Sequence, residues 1–105
     1  MYRAPNSVMQ TLIWNSVDLL KAGTGEFQGE AAATIKNLVS DRINSIELHW
    51  DEDPDAYLAE AKERLYKLGD FVLPDEERRS YFRQEVDILA ERARKKVFPR
   101  HSQLP

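Results

Sequence analysis

Apolar residues recur along most of this chain at intervals of three and four positions, the period of an amphipathic α-helix. Four stretches show this period, and no stretch reads convincingly as a β-strand. The pattern therefore predicts an all-α fold, a compact four-helix arrangement with a short C-terminal tail. The four helices are expected at about 7–21, 30–49, 54–68 and 75–97.

Each of the last three helices has one face on which its large apolar residues meet, and these faces are the expected core. The residues are Ile35, Leu38, Val39, Ile43, Ile46 and Trp50 in the second helix, Tyr57, Leu58, Ala61, Leu65 and Leu68 in the third, and Tyr81, Phe82, Val86, Leu89, Ala90, Ala93 and Val97 in the fourth. One shared core beneath four helices is the simplest way to bury them.

Glycine, proline and capping residues predict where helices begin and end. Asp53 can accept a hydrogen bond from the first turn of the third helix, and Pro54 suits the first helical position. Gly23 and Gly69 are expected to end the first and third helices. The link 70–73 is short and apolar, so it is expected to pack against the core.

The end of the second helix is ambiguous. Ile46, Leu48 and Trp50 alternate with polar residues, as they would in a short strand. A lone strand has no evident partner elsewhere in the chain, and a single unpaired strand is not stable. Helix is therefore the favoured interpretation of 46–50.

The first helix is apolar over about half of its circumference, wider than the stripe of a helix that packs on one core. Such a helix needs more than one neighbour, or a second chain. Trp14 falls outside even this wide arc. The sequence therefore predicts an exposed apolar surface on helix one.

Charge is segregated along the chain although the net charge is only −3. Residues 47–77 carry eleven acidic and three basic side chains, whereas residues 78–105 carry eight basic and three acidic ones. The two regions either pack as neighbours that screen one another, or one of them faces a charged partner.

Length and composition limit the class of protein. A chain of 105 residues fits one domain, 1–105. Residues 1–5 and 99–105 are expected to be loose at its two ends, the latter because Pro99 should end the last helix. The absence of cysteine excludes disulfides and thiolate chemistry. A cytoplasmic protein with no membrane association is the expectation.

No catalytic, cofactor or metal site is predicted. Asp51, Asp53 and Asp55 alternate like calcium ligands, but Lys62 stands where a calcium loop needs a bidentate glutamate. Residues 23–29 are glycine-rich without matching either phosphate-binding fingerprint. We expect a chain that is not an enzyme.

The leading hypothesis is a protein–protein interaction module, as a homodimer or as a binder of another protein. Helix one would dock by its apolar surface, and the acidic band 47–63 would steer the encounter. Small acidic helical proteins without cysteine are common among bacterial and phage regulators and inhibitors, which is an analogy of type alone. The predicted partner-binding residues are Trp14, Leu19, Asp51, Glu52, Asp53 and Asp55.

The alternative hypothesis is a nucleic-acid-binding regulator. The end of the fourth helix is basic, and such a cluster can neutralise phosphates. The overall acidity of the chain argues against this interpretation. The residues that would bind nucleic acid are Arg92, Arg94, Lys95, Lys96 and Arg100.

Overall fold

The computed structural model describes the backbone of residues 6–25 and 30–103, and the side chains of residues 8–25 and 33–95. Over those residues the chain forms four α-helices and no strand, which confirms the predicted all-α fold. The helices are α1 (Asn6–Thr24), α2 (Glu30–Asn44), α3 (Pro54–Val72) and α4 (Glu76–Gln103). None of them, within this described part of the chain, is long and apolar enough to cross a membrane.

All four helices contribute to one hydrophobic core, and α1 contacts each of the other three. The wide apolar surface of α1 is therefore mostly covered inside the molecule, with Val8, Leu12 and Leu20 fully buried. Contacts with three helices of the same chain therefore explain most of the wide apolar surface of α1, without a second chain. Ile13 and Leu19 remain only partly buried at the edge of the core.

Gly23 and Gly69 do not end helices, which corrects the sequence-based boundaries. Both lie inside helices, and glycine is favoured at each position because a neighbouring side chain approaches the site of a Cβ atom closely. A Cβ on Gly23 would lie 2.6 Å from Cδ2 of Leu73, and one on Gly69 would lie 2.5 Å from Cδ2 of Phe82. The helix-ending glycine of α1 is Gly25, which adopts a left-handed φ of 81°.

The favoured helical interpretation of 46–50 is wrong, and the strand alternative is wrong as well. α2 ends at Asn44, and residues 45–53 form successive turns. The guanidinium of Arg64 helps to end α2, because its Nη1 donates to the carbonyl of Arg42 (2.9 Å) and to the hydroxyl of Ser45 (2.6 Å). Trp50 is then buried against Tyr57, with the rings edge-on at 5.6 Å.

The predicted start of α3 is confirmed. Oδ1 of Asp53 accepts a hydrogen bond from the backbone amide of Ala56 at 3.0 Å, and Pro54 occupies the first helical position. The helix continues to Val72 and ends at Leu73, whose extended backbone leads into proline. The link 70–73 is thus mostly helical. Its Leu73 is buried as expected, but Phe71 is 82% exposed.

α4 differs from its prediction at its far end and on one face. It continues past Pro99 to Gln103, so the segment 99–103 is helical where a loose tail was expected. An interior proline costs a helix about 3 kcal/mol, through the missing hydrogen bond and the clash of its ring with the carbonyl four residues before, and the local sequence does not explain this continuation. Tyr81, expected in the core, is 58% exposed. The expected looseness of 1–5 lies outside the described residues.

Candidate functional site

One side of α4 is joined to α3 by ion pairs and hydrogen bonds. Nε of Arg94 lies 2.7 Å from a carboxylate oxygen of Asp55, and Nη2 of Arg83 lies 2.6 Å from one of Asp70. These contacts connect the acidic and basic regions of the sequence. Part of the charge segregation is therefore accounted for by two helices that pack as neighbours.

Asp87 lies between these two ion pairs on the same side of α4. Its carboxylate accepts a hydrogen bond from the hydroxyl of Tyr66, and Nζ of Lys62 lies 3.9 Å away. Burial of Tyr66, followed by the hydrogen bond to the Asp87 carboxylate, raises the pKa of Tyr66 from 10.0 to about 12. The phenol is therefore a hydrogen-bond donor and not a candidate base at neutral pH.

The other side of α4 borders an open groove against α1. A cavity of about 450 Å³ lies near the end of α1, and a second of about 210 Å³ follows along the same two helices. Leu19 and Ala22 line both cavities. We call this surface the α1–α4 groove, and its residues are Asn15, Asp18, Leu19, Ala22, Gly23, Leu73, Asp75, Glu77, Arg78, Tyr81, Phe82, Glu85, Ile88, Leu89 and Arg92.

Two large apolar side chains stand out of the groove into solvent. Tyr81 is 58% exposed and Ile88 is 49% exposed. They are seven residues apart, so they lie on the same face of α4. Exposed apolar side chains that share one face and line adjoining cavities are typical of a docking surface.

Three further large apolar side chains are exposed in the described part of the chain, and each lies in a different element. Trp14 on α1 is 49% exposed, and Nζ of Lys36 lies 4.9 Å from its ring centroid. Leu48 lies in the turns before α3, and Phe71 near the end of that helix. None of the three lines the α1–α4 groove.

The charges of α4 that lack a partner also line the groove. Among the described side chains of α4, the acidic or basic residues for which no ion pair or hydrogen bond occurs are Glu77, Glu85 and Arg92. Glu77 lines the larger cavity, and Glu85 and Arg92 line the smaller one. The groove thus combines exposed apolar surface with charges that the chain itself does not neutralise.

The two residues predicted on helix one lie in different surroundings. Leu19 is half-buried and lines both cavities of the groove. Trp14 is instead covered on one face by Lys36 of α2. Leu19 therefore belongs to the candidate site, whereas Trp14 forms a separate exposed position.

The acidic residues predicted to bind a partner have structural roles in part. Asp53 caps α3, and Asp55 is ion-paired with Arg94. Asp51 and Glu52 are exposed in the turns between α2 and α3. Asp53 and Asp55 thus contribute to folding, and none of the four acidic residues lines the groove.

The basic residues of the alternative hypothesis are only partly accessible to a nucleic acid. Arg94 is held by Asp55, and Nζ of Lys95 lies 3.9 Å from Glu91. Arg92 faces the groove. The side chains of Lys96 and Arg100 lie outside those that the structure describes.

Sequence reasoning missed Tyr81 and Ile88 as site residues. Tyr81 was grouped with Phe82 although adjacent residues on a helix point about 100° apart. The sequence does contain a signal for these two residues. A second stripe of the fourth helix, through positions 77, 81, 84, 88 and 95, combines the apolar Tyr81 and Ile88 with polar residues, as an exposed docking face would. Only the packing of α1 and α3 shows which stripe of α4 is covered.

In the residues that the structure describes, no three acidic, histidine or cysteine side chains cluster as metal ligands would. His49 is exposed in the turns before α3, where its carbonyl accepts hydrogen bonds from the amides of Glu52 and Asp53. No protein-family model matches the sequence, and neither the curated proteins nor the solved structures contain a significant match. The chemistry of the chain's own surface is therefore what indicates its function.

Proposed function

We propose that this chain is a non-enzymatic protein-interaction module that docks another polypeptide in its α1–α4 groove. The observation that carries the proposal is the coincidence of exposed apolar side chains and unpaired charges along one groove. A module of this kind acts by occupying its partner's surface, which is how a small regulator or inhibitor works.

The groove offers what a docking helix needs. Tyr81 is an aromatic residue of the type that dominates binding energy at interfaces. Ile88 adds aliphatic surface about two helical turns farther along the same face of α4. Transfer of apolar area from water gains roughly 25 cal/mol per Å². An amphipathic helix that inserts apolar side chains into the two cavities would realise this gain.

The unpaired charges give the proposal its specificity. Glu77 near one end of the groove and Arg92 near the other have no competing ion pair among the described residues. A partner with the opposite order of charges is attracted in one orientation and repelled in the other. Charge pairing across the rim would thus fix the direction in which the partner helix lies.

Binding of nucleic acid is the weaker candidate. Arg94 is engaged by Asp55, and the pair lies on the α3 side of α4, away from the groove. Glu91 borders the described basic end, and its carboxylate lies 3.9 Å from Nζ of Lys95. A mobility-shift titration at about 50 mM salt that shows binding, weakened steeply by added salt, would favour this candidate instead.

Site-specific photo-crosslinking tests the proposal. We would replace Tyr81 with p-benzoylphenylalanine in the full chain, and use the same replacement of the exposed Lys67 on α3 as the matched control. Irradiation in the native host is expected to give a discrete protein adduct from position 81 but not from position 67. The additional substitution Ile88→Arg should remove the adduct, since it places a charge on the apolar face of the groove.

Two outcomes would contradict the proposal. The first is the same set of adducts from both positions, which would indicate contact without a site. The second is an adduct at position 81 that survives Ile88→Arg in a chain whose helical circular dichroism is unchanged. The mass of a specific adduct then identifies the class of partner, either another protein or a further copy of this chain.

A further inference from the structure

We propose that the polypeptide which occupies the α1–α4 groove is a second copy of this chain, docked with the two α4 helices antiparallel. The inference deepens the proposed function, since it requires the groove to be a docking site and then names the occupant. It depends on the order of side chains along the exposed face of α4.

The exposed face of α4 is complementary to the same face of a second copy when the two helices are antiparallel. Glu77 precedes Tyr81 by four residues, and Arg92 follows Ile88 by four. A two-fold axis between Gln84 and Glu85 therefore places Tyr81 opposite Ile88 of the second copy. The same axis places Glu77 opposite Arg92.

The pairing satisfies the groups that the single chain leaves unsatisfied. Glu77 and Arg92 have no ion pair within the described residues, and both are exposed. The axis generates the Glu77–Arg92 pair twice, once on each side of the apolar centre. Gln84 can also donate a hydrogen bond to Glu85 of the other copy, which gives the third unpaired charge of α4 a partner.

A uniformly charged partner fits this groove less well. The cavity near the end of α1 is lined by Asp75 and Arg78, which pair with each other, and by the unpaired Glu77. The smaller cavity is lined by Asp18, Glu85 and Arg92. Along α4 the unpaired charge thus changes from Glu77 at one end to Arg92 at the other, so a uniformly charged helix would be repelled by one of these two residues. A helix with an acidic start and a basic end, laid antiparallel, matches both ends, and α4 is such a helix.

The length of the face sets the expected strength of the dimer. From residue 77 to residue 95, α4 extends for about 27 Å, and two helices side by side are about 20 Å wide. Contact over this surface buries roughly 500 Å² per copy, which is in the range of weak, transient interfaces. We therefore expect a weak, reversible dimer.

Analytical ultracentrifugation of the purified full chain tests the inference over a wide concentration range. The expected result is a monomer–dimer equilibrium that weakens as salt is added, because exposed ion pairs are screened. Ile88→Arg should weaken dimerisation at least tenfold without loss of helical circular dichroism, because Ile88 is half exposed in the monomer. Glu63→Arg, on an exposed position of α3, is the matched control and should leave the equilibrium unchanged.

A charge exchange tests the antiparallel arrangement. Glu77→Arg and Arg92→Glu should each dimerise poorly alone, because like charges meet at both ends. An equal mixture of the two variants should dimerise, because both opposing pairs are then of opposite sign. No dimer in the mixture, with dimers of the unaltered chain intact, would overturn the arrangement.

The second copy and the docking site can fail separately. A chain that stays monomeric at every concentration overturns the second copy as occupant. If a position-81 crosslink to a different protein then depends on Ile88, the proposed function stands with another partner. If the chain is monomeric and no specific crosslink forms, both proposals are wrong.

Discussion

The two sides of α4 differ in how completely the chain uses them. On the α3 side, Gly69 lets Phe82 approach closely, and the charges Arg83, Asp87 and Arg94 all have partners on α3. On the α1 side, Tyr81 and Ile88 remain exposed above cavities. The charges of α4 that face α3 are thus paired within the chain, whereas two large apolar residues on its α1 side remain exposed.

The difference separates folding from docking within a single element. A buried aromatic against a glycine tolerates almost no change of volume, because protein interiors are close-packed. Half-exposed side chains over a cavity contribute little to the isolated fold and are free to pack against something else. Substitutions on the α3 side should therefore change stability, and those on the α1 side should change association.

The largest expected effect compares two adjacent aromatic residues. Phe82→Ala should lower the free energy of unfolding by about 3–5 kcal/mol, because it leaves a cavity in the core. Tyr81→Ala should lower it by about 0.5 kcal/mol or less, since the side chain is 58% exposed. Urea denaturation of dilute, monomeric samples measures both. Similar losses for the two variants would remove the distinction between the sides of α4.

The next largest effect concerns the close contact of Gly69. Alanine favours a helix over glycine by about 1 kcal/mol. Gly69→Ala should nevertheless destabilise the chain by about 1–3 kcal/mol, because the new Cβ would lie 2.5 Å from a ring carbon of Phe82.

A double-mutant cycle identifies the cause. In the background Phe82→Leu, the added methyl should cost less, so the two substitutions should not be additive. A gain in stability from Gly69→Ala alone would show that the ring moves aside at little cost, and the α3 side would then be looser than its contacts indicate.

Much of the fold could be predicted because local signals and the final packing agree. Every inward position chosen for the third helix is buried, and Asp53 and Pro54 start the helix as expected. The errors arose where a distant residue decides. Nothing near Gly69 in the sequence indicates that Phe82 packs against it. Likewise, nothing near Ser45 indicates that Arg64 caps the end of α2 there.

The candidate site could be predicted only in part, for a related reason. Leu19 was selected from the breadth of helix one, and it does line the groove. The wide apolar surface of α1 is explained by its contacts with three helices of the same chain. The width of that surface alone could therefore not show which part of it stays exposed. Tyr81 and Phe82 have similar chemistry, and only the three-dimensional packing shows that one is buried and the other exposed.

A smaller effect is expected from the ion pair that joins the ends of α3 and α4. Arg94→Gln should cost about 0.2–1 kcal/mol at low salt, because Asp55 is largely exposed and such pairs are weak. The loss should shrink as salt is added. Urea denaturation at two salt concentrations measures it, with Lys67→Gln as the control. A loss of several kcal/mol would mean that charge and not packing dominates the α3 side.

The smallest effect is confined to alkaline pH and tests the polar centre of the α3 side. The pKa of Tyr66 is raised to about 12, so its neutral form is favoured by folding, and that contribution is complete below pH 10. It should be lost as the pH rises from about 10 to about 12. Ultraviolet titration of the phenolate, with Tyr66→Phe subtracted, should give the raised pKa. Asp87→Asn should lower it further than Glu63→Gln does, because only Asp87 accepts the hydrogen bond of the phenol. Equal shifts in the two variants would mean that general negative charge, and not the contact between α3 and α4, holds the proton.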